Sequence, residues 1–187
     1  MVRMTRHPEV LSNRYTIKIQ YMPASNLERM IRLVDEVFAN REDPGQLSVS
    51  PAVMERLHNI HPSALSEFDD GQGPVAWVLL IPTTLSLMNR FLAKEITEKE
   101  LFDQTPTGVT YDALYLCSAL VLEEYRRKGI VKNLVLRSIA EIRMDHPLKA
   151  LFVWPFTKEG ELAAEAMAKL TDIPLFKREG HQTGKDK

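Results

Sequence analysis

Residues 113–156 read ALYLCSALVLEEYRRKGIVKNLVLRSIAEIRMDHPLKALFVWPF, and this stretch decides the fold. Ala113 to Leu122 is a near-continuous apolar run of strand length, the pattern of a buried strand. Glu123 to Lys128 is charged around one tyrosine, and Gly129 follows. From Gly129 to Met144 the apolar residues Val131, Leu134, Val135, Ile139 and Ile142 recur at helical spacing. Asp145-His146-Pro147 stops that helix, and Ala150 to Phe156 is a second apolar strand. A strand–helix–strand unit of this length favours a parallel pair joined by a right-handed crossover. Its turn sets three consecutive cations, Arg126-Arg127-Lys128, and a glycine where a strand gives way to a helix start. Helix starts leave amide N–H groups unpaired and carry partial positive charge, so the turn suits a phosphate-bearing ligand.

Working outward, Tyr15 to Gln20 alternates bulky and polar residues, as in a half-buried strand. Ser25 or Asn26 caps a helix whose stripe is Leu27, Met30, Ile31, Val34, Val37 and Phe38. Ser50-Pro51 opens a short helix through His58. Leu65–Phe68 and Val75–Ile81 flank the turn Asp69-Asp70-Gly71-Gln72-Gly73, which reads as an antiparallel hairpin. Leu85 to Ile96 is helical by spacing, and Thr97-Glu98-Lys99-Glu100 reads as a capping box opening another helix. Lys158 to Leu170 is a helix with Leu162, Ala163, Ala166, Met167 and Leu170 expected inward, and Pro174 to Arg178 is a final short strand. The expectation is an α/β fold over residues 1–187 as a single domain. Its central sheet of about six strands is mixed and mostly antiparallel, with a parallel β-α-β unit and helices on both faces. Residues 1–13 and 180–187 read as tails, and residues 85–110 as a helical insertion whose apolar face lids a pocket, buries a homodimer interface or packs on its own domain.

The chain has 44% hydrophobic and 26% charged residues, ordinary for a globular protein able to bury its own core. Its net charge of −1 argues against bulk nucleic-acid binding, where a basic balance is usual. The single cysteine, Cys117, excludes an intramolecular disulfide and argues against a cysteine-based zinc site; it reads as a small buried hydrophobe or as a reactive thiol. His58 and His61 lack an evident third ligand, so no metal is expected. No run is long enough to cross a bilayer and residues 1–9 lack a signal's apolar segment, so a cytoplasmic address with no membrane partner is expected.

The turn Arg126-Arg127-Lys128-Gly129-Ile130-Val131, approached by Leu120-Val121-Leu122-Glu123-Glu124-Tyr125, resembles the signature of the GNAT superfamily of acyl-CoA-dependent N-acyltransferases. That signature runs Arg or Gln, two variable residues, Gly, one variable residue, then Gly or Ala. The resemblance spans residues 15–178, with its motifs inside 114–170. It implies acetyl-CoA as co-substrate, with its diphosphate on the amides of Arg126, Arg127, Lys128, Gly129, Ile130 and Val131. It also implies a pantetheine arm along Leu120, Val121 and Leu122, and a thioester in a gap where the two parallel strands splay apart. The acyl group would pass directly to an amine acceptor. Val131 stands where the family has a small residue, and Met167 where many members carry a tyrosine that protonates the departing thiolate. The residues after Arg178 leave little length for the family's last strand, so a shortened sheet or one completed by a partner is expected.

Transfer to an amine needs a group that takes the amine proton and one that protonates sulfur. Glu67, Ser118 and Tyr115 are the candidates. Glu67 lies beside the hairpin; Ser118 and Tyr115 lie on the strand beside the expected gap. Each has a plainer reading, as a solvated carboxylate, a hydroxyl bonded to local backbone and a core aromatic. Asp69 and Asp70 read first as turn residues. The expected function is N-acetyl transfer from acetyl-CoA; the alternative is a CoA-binding regulatory module of the same fold with weak or no turnover.

Overall fold

The computed structural model describes residues 24–39, 45–47 and 50–179. The expected strand at 15–20, the tails at 1–13 and 180–187, and the side chains of Val37 and Phe38 lie outside the described residues. Five strands, β1 (Leu65–Asp69), β2 (Pro74–Thr83), β3 (Ala113–Val121), β4 (Ala150–Val153) and β5 (Leu175–Lys177), form one sheet in sequence order. The helices are α1 (Asn26–Ala39), α2 (Pro51–Ile60), α3 (Leu85–Leu92), α4 (Glu98–Gln104), α5 (Ile130–Asp145) and α6 (Lys158–Thr171). β1–β2 and β2–β3 are antiparallel, whereas β3–β4 and β4–β5 are parallel. The described sheet is therefore evenly mixed rather than mostly antiparallel, because α6 makes a second β-α-β crossover and adds β5 parallel to β4.

Local chemistry accounts for the element starts. Ser50 accepts from the Val53 amide at the head of α2, with Pro51 in the first turn. Thr97 and Glu100 cap α4 reciprocally, the capping box expected there. α3 stops at Leu92, where Lys94 adopts φ 63°. β4 ends at Val153, three residues short of the expected Phe156, because Pro155 lacks an amide and cannot continue the ladder.

Side chains alternate across the sheet, so β2 feeds both of its faces. Leu79 and Ile81 pack with α2, α3 and α4 through Leu57, Met88, Phe91, Leu101 and Phe102. Val78 and Leu80 pack with α5 and α6 through Leu134, Ile139, Ile142 and Met167. The insertion at 85–110 thus packs its apolar face on its own domain, with Phe91 and Leu101 fully buried. A smaller cluster of Met30, Val75 and Leu122 seats α1 over the end of β3.

Two helices are rotated from expectation. α6 buries Ala164 and Met167 and leaves Leu162 and Leu170 about half exposed. Its sequence carries two apolar stripes, and the one with Ala164 and Met167 packs on the sheet, while Glu161 and Glu165 on the helix pair with Lys177 of β5. In α1, Met30 is buried while Leu27 and Ile31 are about half exposed.

Lys177 of β5 bonds Glu161 at 2.7 Å and also reaches Glu165, which ties the edge strand to α6. Lys158 first and Lys177 second hold the Glu161 carboxyl down to about 2 from an ordinary 4.5. A lowered carboxyl pKa gives stabilisation that is present above the ordinary value and lost as pH falls through the folded one. In a carboxyl-carbon NMR titration Glu161 is expected to titrate near pH 2, and Lys177→Met is expected to move that midpoint upward. A midpoint unmoved by Lys177→Met would remove this tie.

Candidate functional site

The β3–β4 pairing covers only Ala113↔Ala150, Leu114↔Leu151 and Tyr115↔Phe152. β3 continues, paired with β2, as far as Val121 opposite Ala76, while β4 stops at Val153. The two strands therefore part beyond Tyr115, and one edge of residues 116–121 faces a gap among the described residues. Within that stretch the β2–β3 register jumps from Leu79↔Ser118 to Leu80↔Leu116, which makes Cys117 the extra residue of a β-bulge. A bulge bends its strand and re-aims side chains. Here it turns Cys117 and Ser118 toward one face, the face of Tyr115, since Leu79 opposite Ser118 belongs to the same core as Tyr115.

At the far end of β3, a short 3-10 turn (Glu123–Tyr125) leads into α5. Arg127 adopts φ 62° and Gly129 φ 76°, both in the left-handed region. Gly129 is the N-cap of α5 and, having no side chain, caps nothing; the first helical bond runs from the Asn133 amide to its carbonyl. The amides of Ile130, Val131 and Lys132 have no intrahelical acceptor. Arg126, Arg127 and Lys128 are all exposed. A non-glycine residue held at positive φ costs on the order of 1 kcal/mol and concentrates where a backbone shape is needed.

Two neighbouring carboxylates have partners outside the cationic turn. Glu124 pairs with Arg29 of α1 at 2.6 Å, and its own backbone amide first, then Arg29, lower its pKa. Asp70, in the β1–β2 loop, accepts from the Tyr125 hydroxyl, which lowers Asp70 and raises Tyr125. Lys128 lies over the Tyr125 ring, 4.8 Å from its centroid. Asp69 meanwhile accepts from the Gly71 and Gly73 amides and serves as a turn residue. The turn is thus braced by α1 and the hairpin while its guanidinium groups face outward.

The sequence-based site residues divide between two places. Arg126 to Val131 form the turn, and Leu120 and Val121 lie on the part of β3 that β4 does not cover. Leu122 is spent on the protein: its amide donates to Val75 and its carbonyl accepts from Tyr125, both at 2.9 Å. Ser118 and Tyr115 lie at the start of the gap, with Ser118 half-buried and Tyr115 fully buried. Glu67 does not join them. It is exposed, accepts from the Trp77 indole at 3.1 Å, and sits in register with Trp77 and Leu120, about 13 Å along the strands from Tyr115.

Sequence reasoning missed Glu98. The carboxylate is only 3% exposed and accepts from the Leu47 amide at 2.9 Å, the Tyr115 hydroxyl at 2.8 Å and the Cys117 thiol at 3.6 Å. Burial first, then the Glu98 charge, push the Tyr115 hydroxyl well above its ordinary pKa, so it is a poor acid. His61 is buried with its Nδ1 accepting from Ser63, and among the described residues no group of three metal-ligating side chains forms. A concavity of about 420 Å³ between Pro51, Met54, His58 and Leu65 lies at α2 and the edge strand β1, away from both the gap and the turn. No described helix is long and apolar enough to cross a membrane. Comparison with protein-family models, with curated proteins and with solved structures finds no match to this chain.

Proposed function

We propose that this chain is an acyl-CoA-dependent N-acyltransferase of the GNAT type, with the co-substrate's diphosphate on the turn 126–131 and its thioester in the gap between β3 and β4. One observation carries the reading: β3 loses its parallel partner after Tyr115 and runs on, exposed along one edge, to a helix start that has no cap of its own. A diphosphate fits free amides beside cationic side chains, and a pantetheine arm fits an uncovered strand edge, where its amides replace the missing ladder. In the reaction the neutral amine nitrogen attacks the thioester carbonyl carbon. The C–N bond forms and the C–S bond breaks. One proton leaves the nitrogen and one is taken up by the CoA sulfur. Ser118 is the hydroxyl nearest the gap on β3 that makes no hydrogen bond to a described residue, so it is the relay we assign for the sulfur proton.

A second reading, a CoA-binding module of the same fold that turns over weakly or not at all, is favoured by Met167. This residue is 6% exposed, packs into the α5–α6 core, and its thioether has no proton to give. Calorimetry with acetyl-CoA is expected to give one site per chain. Thiol release on adding a panel of primary amines then separates transfer from binding alone. Absence of any acetyl-CoA heat or competition with CoA would overturn both readings.

A further inference from the structure

Past β5, Arg178 donates its amide to the Val153 carbonyl at 2.9 Å, which brings its side chain back over the end of β4. The guanidinium lies 4.3 Å from the Phe91 ring centroid and 4.7 Å from that of Trp154, and Nη1 donates to the Ile96 carbonyl at 2.9 Å. The two rings stand 6.1 Å apart at 80° and are both buried, so they form fixed walls of a slot. Aromatic faces and a backbone carbonyl attract a cation.

The slot adjoins the gap. Trp154 is two residues beyond Phe152, the last β4 residue paired with β3, and Phe91 packs edge-on against Tyr115, the last β3 residue so paired. Behind Tyr115 stands the buried Glu98 carboxylate, whose negative charge adds to the field. A cation site therefore borders the place where, on the proposed function, the acceptor must arrive. The attacking amine has to be neutral, so the slot does not suit that nitrogen. It suits another charged group on the same molecule.

Resting on the acyltransferase reading, we infer that the Phe91–Trp154 slot recognises a second cationic group, guanidinium or alkylammonium, on a small amine acceptor, and that Arg178 occupies it from within the chain as a competitor. The acceptor class is then a small diamine or guanidino-amine rather than a monoamine. An acceptor must displace Arg178 to bind, so the arginine sets a threshold on acceptor affinity.

The test uses agmatine, which carries a primary amine and a guanidinium, against pentylamine, which has the amine alone. Arg178→Gln is expected to tighten agmatine binding by about tenfold in calorimetry, the scale of a buried cation–aromatic contact. Acetyl-CoA and pentylamine affinities should stay unchanged. Adding Trp154→Leu to Arg178→Gln should erase the gain. If Arg178→Gln alone is poorly folded, agmatine should restore its melting temperature in a concentration-dependent way and pentylamine should not. Agmatine binding no tighter in Arg178→Gln, or a restoration that pentylamine reproduces, would overturn the slot while leaving acetyl-CoA binding standing. A wild-type chain that binds no acetyl-CoA would instead overturn the acyltransferase reading and the acceptor role with it.

Discussion

Gly129→Val is expected to abolish acetyl-CoA binding, by at least about a hundredfold in calorimetry, while the chain remains folded. The glycine sits at φ 76°, where a β-branched side chain is strained by roughly 1–3 kcal/mol. No atom beyond its chain neighbours lies within 4 Å of where its Cβ would be, so the strain comes from backbone conformation and not from a tertiary clash. The chain has two ways out. It can keep the left-handed turn, with valine methyls projecting into the open space beside the α5 amides, or it can relax φ and turn those amides aside. Either way a diphosphate loses its seat. The stability loss should stay within that strain, a fall of a few degrees in melting temperature for a chain of this size. Gly108, also at positive φ with open space around it, is the control: Gly108→Val should show a similar thermal shift and leave acetyl-CoA affinity unchanged. Unchanged affinity in Gly129→Val would remove the turn as the binding site.

How much of this was legible in the sequence depended on whether the deciding interaction was local. α5 could be read because its apolar positions occupy one helical stripe, and Leu134, Val135, Ile139 and Ile142 are all buried. The caps at Ser50 and Thr97 could be read because each partner lies within three residues. α6 could not be oriented, because both of its stripes are apolar and the choice is made where Met167 meets the core of α5 and the sheet, a contact distant in sequence. The bulge at Cys117 was illegible for a related reason. The run Cys117-Ser118-Ala119 is small throughout, so a slip in alternation leaves no mark on the hydrophobic pattern. The turn stood out through its charge and its glycine, but the positive φ of Arg127 had no signal in an arginine. Glu98 was hidden most completely. It reads as one acid among several in a capped helix start, and only the docking of α4 over β3 places it beneath Tyr115 and Cys117.

That docking gives the largest stability effect expected in the molecule. Glu98→Ala removes an acceptor shared by the Leu47 amide, the Tyr115 hydroxyl and the Cys117 thiol, and leaves the first two without it in a site with almost no access to water. A hydrogen bond to a charged group contributes about 1.5–3 kcal/mol, and a buried donor left unsatisfied costs about 1–3 kcal/mol. The loss is therefore on the order of 3–5 kcal/mol by urea unfolding, a large share of the roughly 5–15 kcal/mol that holds an ordinary domain. Tyr115→Phe should cost less, about 1.5–2 kcal/mol, because the ring keeps its stacking on Phe152 and only one bond to the carboxylate is lost. The double variant separates a shared network from two independent defects. Once the alanine is in place, the phenylalanine removes a hydroxyl that has lost its acceptor, so Glu98→Ala with Tyr115→Phe should be more stable than the sum of the single losses by about 1–3 kcal/mol. Strict additivity would mean that Glu98 and Tyr115 do not act on one another. The same variants divide the site into its halves. The turn at 126–131 is braced by Arg29 and Asp70 and touches none of these groups. On the proposed function, the folded fraction of Glu98→Ala should therefore still bind acetyl-CoA with wild-type affinity, while acyl transfer in the gap beside Tyr115 is expected to fall.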